Sequence, residues 1–303
     1  MKRLLFLPTF LFALLTGNHG SYADFQKGMN AFNNGDFVAA IKIWEPIAVQ
    51  GDMKAQYNLG RMYGKGIGVT KDYKAANQWF IRSAKQGHAL AQYSLGVIYE
   101  NGYGVRKDET LAFKWYQSAA EQGKALAQHK MGIMYRTGTG TSQDHNKAFA
   151  WHMLAAEQGD ALAQHDVGAA YANGHGVQQD NTASFKWYML AAEQGNALSQ
   201  TNVATMFKIG RGTPQNDFLA VKWYRLSAEQ GELIAQSTLG AMYYEGRGVK
   251  KDYTQALKWL HISASRGEVV AQKGLSQFEK LMTSAQVVRA KQLARDWLDK
   301  NPE

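Results

Sequence analysis

The chain has 303 residues, 45% of them hydrophobic and 19% charged, a globular composition that excludes a disordered or fibrous protein. Cysteine is absent, which removes disulfides, thiolate nucleophiles and cysteine-based zinc sites. Basic residues outnumber acidic ones by 34 to 25, a surplus that favours anionic partners such as acidic proteins, polysaccharides or lipid headgroups. No basic block of the kind that marks nucleic-acid binding occurs, so no nucleic acid is expected.

In chain order, Lys2 and Arg3 give a positive start, Leu4 to Leu15 an apolar stretch, and Ser21-Tyr22-Ala23 a small-x-small cleavage site. Residues 1–23 are therefore expected to be a signal peptide, with the mature chain starting at Asp24 in the periplasm or outside the cell. The apolar run is shorter than the about 20 residues that cross a bilayer, so no membrane span is expected. Removing Lys2 and Arg3 leaves 32 basic against 25 acidic residues, a surplus of seven. Residues 24–51 form an expected helical hairpin, with Gly28, Ala31 and Phe32 on one helix and Ala40 to Trp44 on the next, after the turn Gly35-Asp36-Phe37. Pro46 lies inside the second helix and is expected to bend or end it.

From there repetition dominates. A glycine recurs every 36 residues, at Gly51, Gly87, Gly123, Gly159, Gly195, Gly231 and Gly267. Tryptophan keeps the same period from Trp79 to Trp259, and glutamine from Gln56 to Gln272. The period defines six units, 52–87, 88–123, 124–159, 160–195, 196–231 and 232–267. Each reads as two helices. In the first unit Ala55, Leu59, Gly60, Met62 and Tyr63 share one side of a helix. Gly66-Ile67-Gly68 then breaks it, and Asp72 is the expected N-cap of a second helix with the apolar stripe Ala76, Trp79, Phe80 and Ala84. Gly87 ends that helix. Residues 268–303 are expected to form a helical cap, with Leu281, Val288, Leu293, Trp297 and Leu298 facing the last unit.

The run Ala91, Leu95-Gly96, Tyr99, Gly102, Gly104-Val105, Asp108, Ala112, Trp115-Tyr116, Ala119-Ala120 and Gln122-Gly123 resembles the Sel-one-like repeat family, within the tetratricopeptide superfamily. The resemblance covers about 220 residues, and residues 24–50 are similar to a tetratricopeptide hairpin. It implies an all-α fold, a right-handed α-solenoid of antiparallel helix pairs, whose first helices line the concave face. It also implies an interaction scaffold rather than an enzyme. Some secreted relatives are linked to β-lactam hydrolysis, but they carry paired cysteines that this chain lacks.

Candidate chemistry is sparse. The tryptophans share a stripe with Ala76 and Ala84 and are expected in the core rather than in a sugar-binding ladder. The Gly-x-Gly loops lack the strand and the Gly-Lys-Ser/Thr of a phosphate cradle. His129 and His165 occupy one repeat position shared with Tyr57, Tyr93, Thr201 and Ser237, and are expected at the surface. His88, His145, His152, His175 and His261 share no register that completes a ligand set, so neither metal nor cofactor is expected. Asp72, Asp108, Asp144, Asp180 and Asp252 hold helix caps, and no nucleophile-plus-base constellation is present, so no catalytic residue is assigned.

A site is best sought where units differ. On the first helices these positions read Tyr57, Tyr93, His129, His165; then Asn58, Ser94, Lys130, Asp166; then Arg61, Val97, Ile133, Ala169. Tyr57, Asn58, Arg61, Tyr93, His129, Lys130, His165 and Asp166 are the expected partner-binding residues, rich in the aromatic and arginine types that anchor interfaces. The expected function is an exported adaptor for an envelope or host protein. A peptidoglycan- or polysaccharide-binding protein and a β-lactam hydrolase are the alternatives.

Overall fold

Aspartate and glycine punctuate the helices as their chemistry requires. The carboxylates of Asp52 and Asp72 accept backbone N–H groups of Ala55 and of Lys74 and Ala75, satisfying donors that a helix start leaves unpaired. Asp108, Asp180 and Asp252 do the same for later second helices. First helices end on a left-handed residue that only glycine adopts without strain: Gly66 has φ +70° and its N–H closes on the Met62 carbonyl.

The computed structural model describes residues 13–302, and every regular element among them is an α-helix. Lys2, Arg3 and most of the expected apolar leader lie outside the described residues. The chain divides into two compact units, Met1–Asp144 and His145–Glu303. The first contains α1 (Ala13–Asn33), α2 (Phe37–Val49), α3 (Met53–Lys65), α4 (Tyr73–Lys85), α5 (Ala89–Asn101), α6 (Glu109–Glu121) and α7 (Ala125–Thr137). Each helix packs on the next in chain order, the stacking of an α-solenoid. Helix α1 begins upstream of Asp24 and carries Ser21-Tyr22-Ala23 within it. Pro46 does not end α2, which continues to Val49; the N–H of Gln50 still reaches the Pro46 carbonyl at 3.2 Å.

The second unit contains α8 (His145–Glu157), α9 (Ala161–Asn173), α10 (Asn181–Glu193), α11 (Ala197–Ile209), α12 (Asp217–Glu229), α13 (Leu233–Glu245), α14 (Tyr253–Ser265), α15 (Val269–Glu279) and α16 (Ser284–Lys300). Both α15 and α16 pack on α14 and close the stack. Thr283 and Gln286 start α16 with a reciprocal capping box. The cap differs from the expected pattern. Ala271, Ala290 and Ala294 are its buried residues, while Leu281 and Val288 are exposed, because a close helix approach needs small side chains at the contact.

The core also corrects the tryptophan reading. Trp44 and Trp259 are buried, but Trp79, Trp115, Trp151, Trp187 and Trp223 are only half-buried. The deeply buried ring is the next residue: Phe80, Tyr116, Tyr188 or Tyr224. A Cβ added at Gly96 would collide with the Tyr116 ring, which is why glycine stands on the facing first helix.

The periodic glutamine has a structural role. Gln92 donates to the Ala84 carbonyl at 3.3 Å and accepts from Gln122 Nε2 at 2.7 Å. The same pair of bonds recurs for Gln56, Gln164 and Gln200, each of them buried. Burying a carboxamide is tolerated here because both its ends are satisfied.

Candidate functional site

Within the first unit the expected site residues sit on the faces of α3, α5 and α7. The Tyr57 ring packs against Phe80 at 5.8 Å and His88 at 4.7 Å between centroids, and the Arg61 guanidinium lies 5.8 Å from it. Burial raises the Tyr57 pKa, and the Arg61 charge opposes the rise. Asn58 contacts Met29 Sδ at 3.6 Å and, with Arg61, borders a small cleft over Phe32 and Trp44. Arg61 is exposed. The Tyr93 ring lies 5.5 Å from Tyr116.

His129 departs from the surface it was assigned, whereas Lys130 is half-buried. Lys130 Nζ reaches both oxygens of Glu100 at 3.0 and 2.9 Å, and Tyr116 donates its hydroxyl to the same carboxylate at 2.6 Å. Lys130 therefore completes a half-buried network beside the Tyr116 ring. His129 is buried, at 8% exposure, because its repeat position faces the second-helix aromatic.

In the second unit His165 lies on α9 with Nδ1 2.8 Å from Ser199 Oγ and its ring 5.4 Å from Tyr188. Asp166 Oδ2 is 3.7 Å from Nδ1 of the buried His152. His145 and His175 stack at 5.2 Å, the arrangement that Tyr73 and Tyr103 adopt in the first unit. The histidines thus follow repeat registers that spacing alone did not reveal.

The structure brings Tyr93 and Lys130 together at Tyr116, and His165 and Asp166 at Tyr188. It leaves Arg61 as an outward-facing cation beside Tyr57. Sequence reasoning missed a second feature. From α5 onward the second residue of each first helix is an exposed aliphatic, Leu90, Leu126, Leu162, Leu198 and Ile234, at 41 to 64% exposure, where α3 has Lys54. Their 36-residue period is readable in the sequence. No helix among the described residues is long and apolar enough to cross a membrane.

Comparison with known proteins follows the same repeat boundaries. The chain matches the family described as Sel1 repeat at residues 54–88, 89–124, 125–160, 161–196, 197–232 and 233–268. It is similar to the crystal structure of a protective antigen present in uropathogenic Escherichia coli strains, which displays an SLR fold. That match has 32% identity and a TM-score of 0.84, covering 92% of this chain and 61% of the other. The chain thus spans about three-fifths of that relative's length. A Sel1 repeat protein from Oxalobacter formigenes matches at 34% identity and a TM-score of 0.71, over 79% of this chain and 96% of its own. No curated protein matches.

Proposed function

The chain belongs to the Sel1-repeat family, whose members generally mediate protein–protein interaction, and from that premise we propose that it is an exported scaffold holding one protein partner on its first helices. One observation carries this reading. Caps, glutamine bonds and core rings repeat from unit to unit, while the first-helix faces differ, from Tyr57 and Arg61 to His165 and Asp166. A framework that holds its interior constant and varies one face suits recognition of a particular surface. Export rests on Lys2-Arg3, the apolar run and Ser21-Tyr22-Ala23.

Crosslinking in intact cells followed by mass spectrometry tests the partner. The double variant Arg61→Glu/Lys65→Glu, on exposed positions of α3, should lose capture, whereas Lys74→Glu/Lys114→Glu on second helices should keep it. Equal capture by both variants would remove the first-helix face from the reading. N-terminal sequencing of the exported chain should begin at Asp24. Recovery of Met1 in the cytoplasmic fraction would remove export.

A further inference from the structure

The second unit contains a pocket whose chemistry is defined by comparison with its own repeats. Tyr116, Tyr188 and Tyr224 occupy one register and are all at most 6% exposed. Tyr116 donates to Glu100 Oε2 at 2.6 Å, and the Tyr224 hydroxyl lies 2.8 Å from Thr205 Oγ1. Those partners stand sixteen and nineteen residues before the tyrosine, and the matching positions before Tyr188 are Ala172 and Ala169. Alanine supplies no acceptor, and the Tyr188 hydroxyl makes no hydrogen bond among the described residues. The missing side chains leave a pocket of about 250 Å³ bordered by Ala172, Tyr188, Asn202, Met206, Ile209 and Arg211.

The polar lining includes the donors Tyr188, Asn202 and Arg211, while the hydroxyls of Ser184 and Thr205 already donate to the Gly168 and Thr201 carbonyls. Burial pushes the Tyr188 pKa up to about 12, with Asp166 adding to the rise and Arg211 opposing it, so the phenol keeps its proton at physiological pH. Asn202 stands where Lys130 stands relative to Tyr116, fourteen residues beyond the tyrosine. Arg211 donates Nε to Asn181 Oδ1 at 2.7 Å and Nη2 to the Ala172 carbonyl at 3.1 Å. At the equivalent position Arg247 forms a two-bond ion pair with Asp217, at 2.8 and 3.2 Å. Asn181 replaces that aspartate, so Arg211 keeps an uncancelled charge. Among the described residues lining the pocket, Arg211 is the one charged side chain and no carboxylate is present. Asp166 lies outside this lining but acts on the phenol, so a guest meets the Arg211 charge at the wall and the opposing field of Asp166 behind it.

We propose that the pocket takes an aspartate or glutamate side chain of the protein partner, in the place that Glu100 fills from within the chain beside Tyr116. The proposal rests on the reading of the first helices as the partner-binding face. A phenol, a carboxamide and a guanidinium give a carboxylate charge-assisted hydrogen bonds that a neutral amide does not receive. The pocket is below the range of drug-sized ligand sites and suits one side chain.

The experiment titrates the isotope-labelled chain with acetyl-Gly-Glu-Gly-amide and with acetyl-Gly-Gln-Gly-amide, following the Asn202 side-chain amide and the Arg211 Nε–H by NMR. Saturable shifts are expected with the glutamate peptide, and binding about tenfold weaker or more with the glutamine peptide. Tyr188→Phe, a ring already present as Phe80 in the first repeat, should weaken the glutamate peptide about tenfold or more. Ala172→Glu supplies the carboxylate within the chain and should abolish binding. Equal shifts with both peptides, no saturation with the glutamate peptide, or undiminished binding by Ala172→Glu would overturn the proposal. Ala172→Glu in the cell-crosslinking experiment separates the two readings. Undiminished capture discards the pocket and leaves the scaffold, whereas absence of any captured protein with the unaltered chain discards the scaffold whatever the peptides do.

Discussion

At the scale of single residues, Tyr116 joins packing to polarity. Its ring fills the space that Gly96 leaves open, and its hydroxyl anchors the Glu100 carboxylate that also holds Lys130. Tyr116→Phe keeps the ring and removes one hydrogen bond to a charged group, so it should cost about 1.5–3 kcal/mol. Tyr116→Ala adds a cavity and should cost about 3–5 kcal/mol. Trp115→Ala should cost less than Tyr116→Ala, because the tryptophan is half-buried while the tyrosine is fully enclosed. Urea unfolding of the three variants gives the order. A larger loss at Trp115 would place the tryptophan at the centre of the core and contradict the packing described here.

At the scale of helices, two features make separate predictions. Gln92 makes two bonds across helix junctions, whereas Gln236 makes one, to the Ala228 carbonyl at 3.0 Å, because position 266 is arginine instead of glutamine. Gln92→Leu leaves the buried Ala84 carbonyl without this donor and removes the bond from Gln122, whose exposed amide keeps the Ser118 carbonyl and water. It should cost about 1–3 kcal/mol, with Gln236→Leu costing less. Denaturant midpoints measured side by side decide it, and equal losses would mean that the second bond contributes nothing. The cap formed by α15 and α16 is sensitive to pH. Burial lowers the His261 pKa, Lys291 adds to the fall and Glu279 opposes it. His88 is also lowered by burial, with Lys124 and Lys54 contributing. Folding thus favours the neutral rings, and the unfolded chain binds more protons below the ordinary value of 6.5. Stability should be full above that value and fall as pH drops through it. Glu279, held low chiefly by the hydrogen bond from Lys291, adds stability that is present above 4.5 and lost as pH falls through its folded value. A urea midpoint that rises from neutral to mildly acidic pH would contradict this sign, and His88→Gln/His261→Gln should flatten the fall.

At the scale of the whole molecule, most of the fold was legible because the repeat imposes each requirement many times. The recurring Asp72-type caps, the Gly66-type helix ends and the 36-residue glycine each identify a boundary without any tertiary knowledge. What escaped depends on neighbours distant in sequence. Gln92 reads as a polar surface residue until its partners Ala84 and Gln122 are in place. His129 reads as surface because its register varies, yet at His129 and Thr201 that register is buried, while Tyr57, Tyr93 and His165 stay half-buried against second-helix rings. Leu281 and Val288 read as core by type, but Ala290 and Ala294 allow the closer contact. The pocket at Tyr188 was invisible because it is made by alanines, whose significance appears only beside Glu100 and Thr205 in equivalent repeats.

The central claim, that a protein partner is held on the first helices, is tested most directly by site-specific photocrosslinking in living cells. A photoreactive amino acid would be placed at the exposed Arg61 of α3 and, in a matched chain, at the exposed Lys114 of α6. Both substitutions lie outside the core, so both chains should melt within a few degrees of the unaltered one. The account predicts a discrete protein adduct from position 61 and none from position 114. An adduct from position 114 alone, or equal adducts from both, would contradict it.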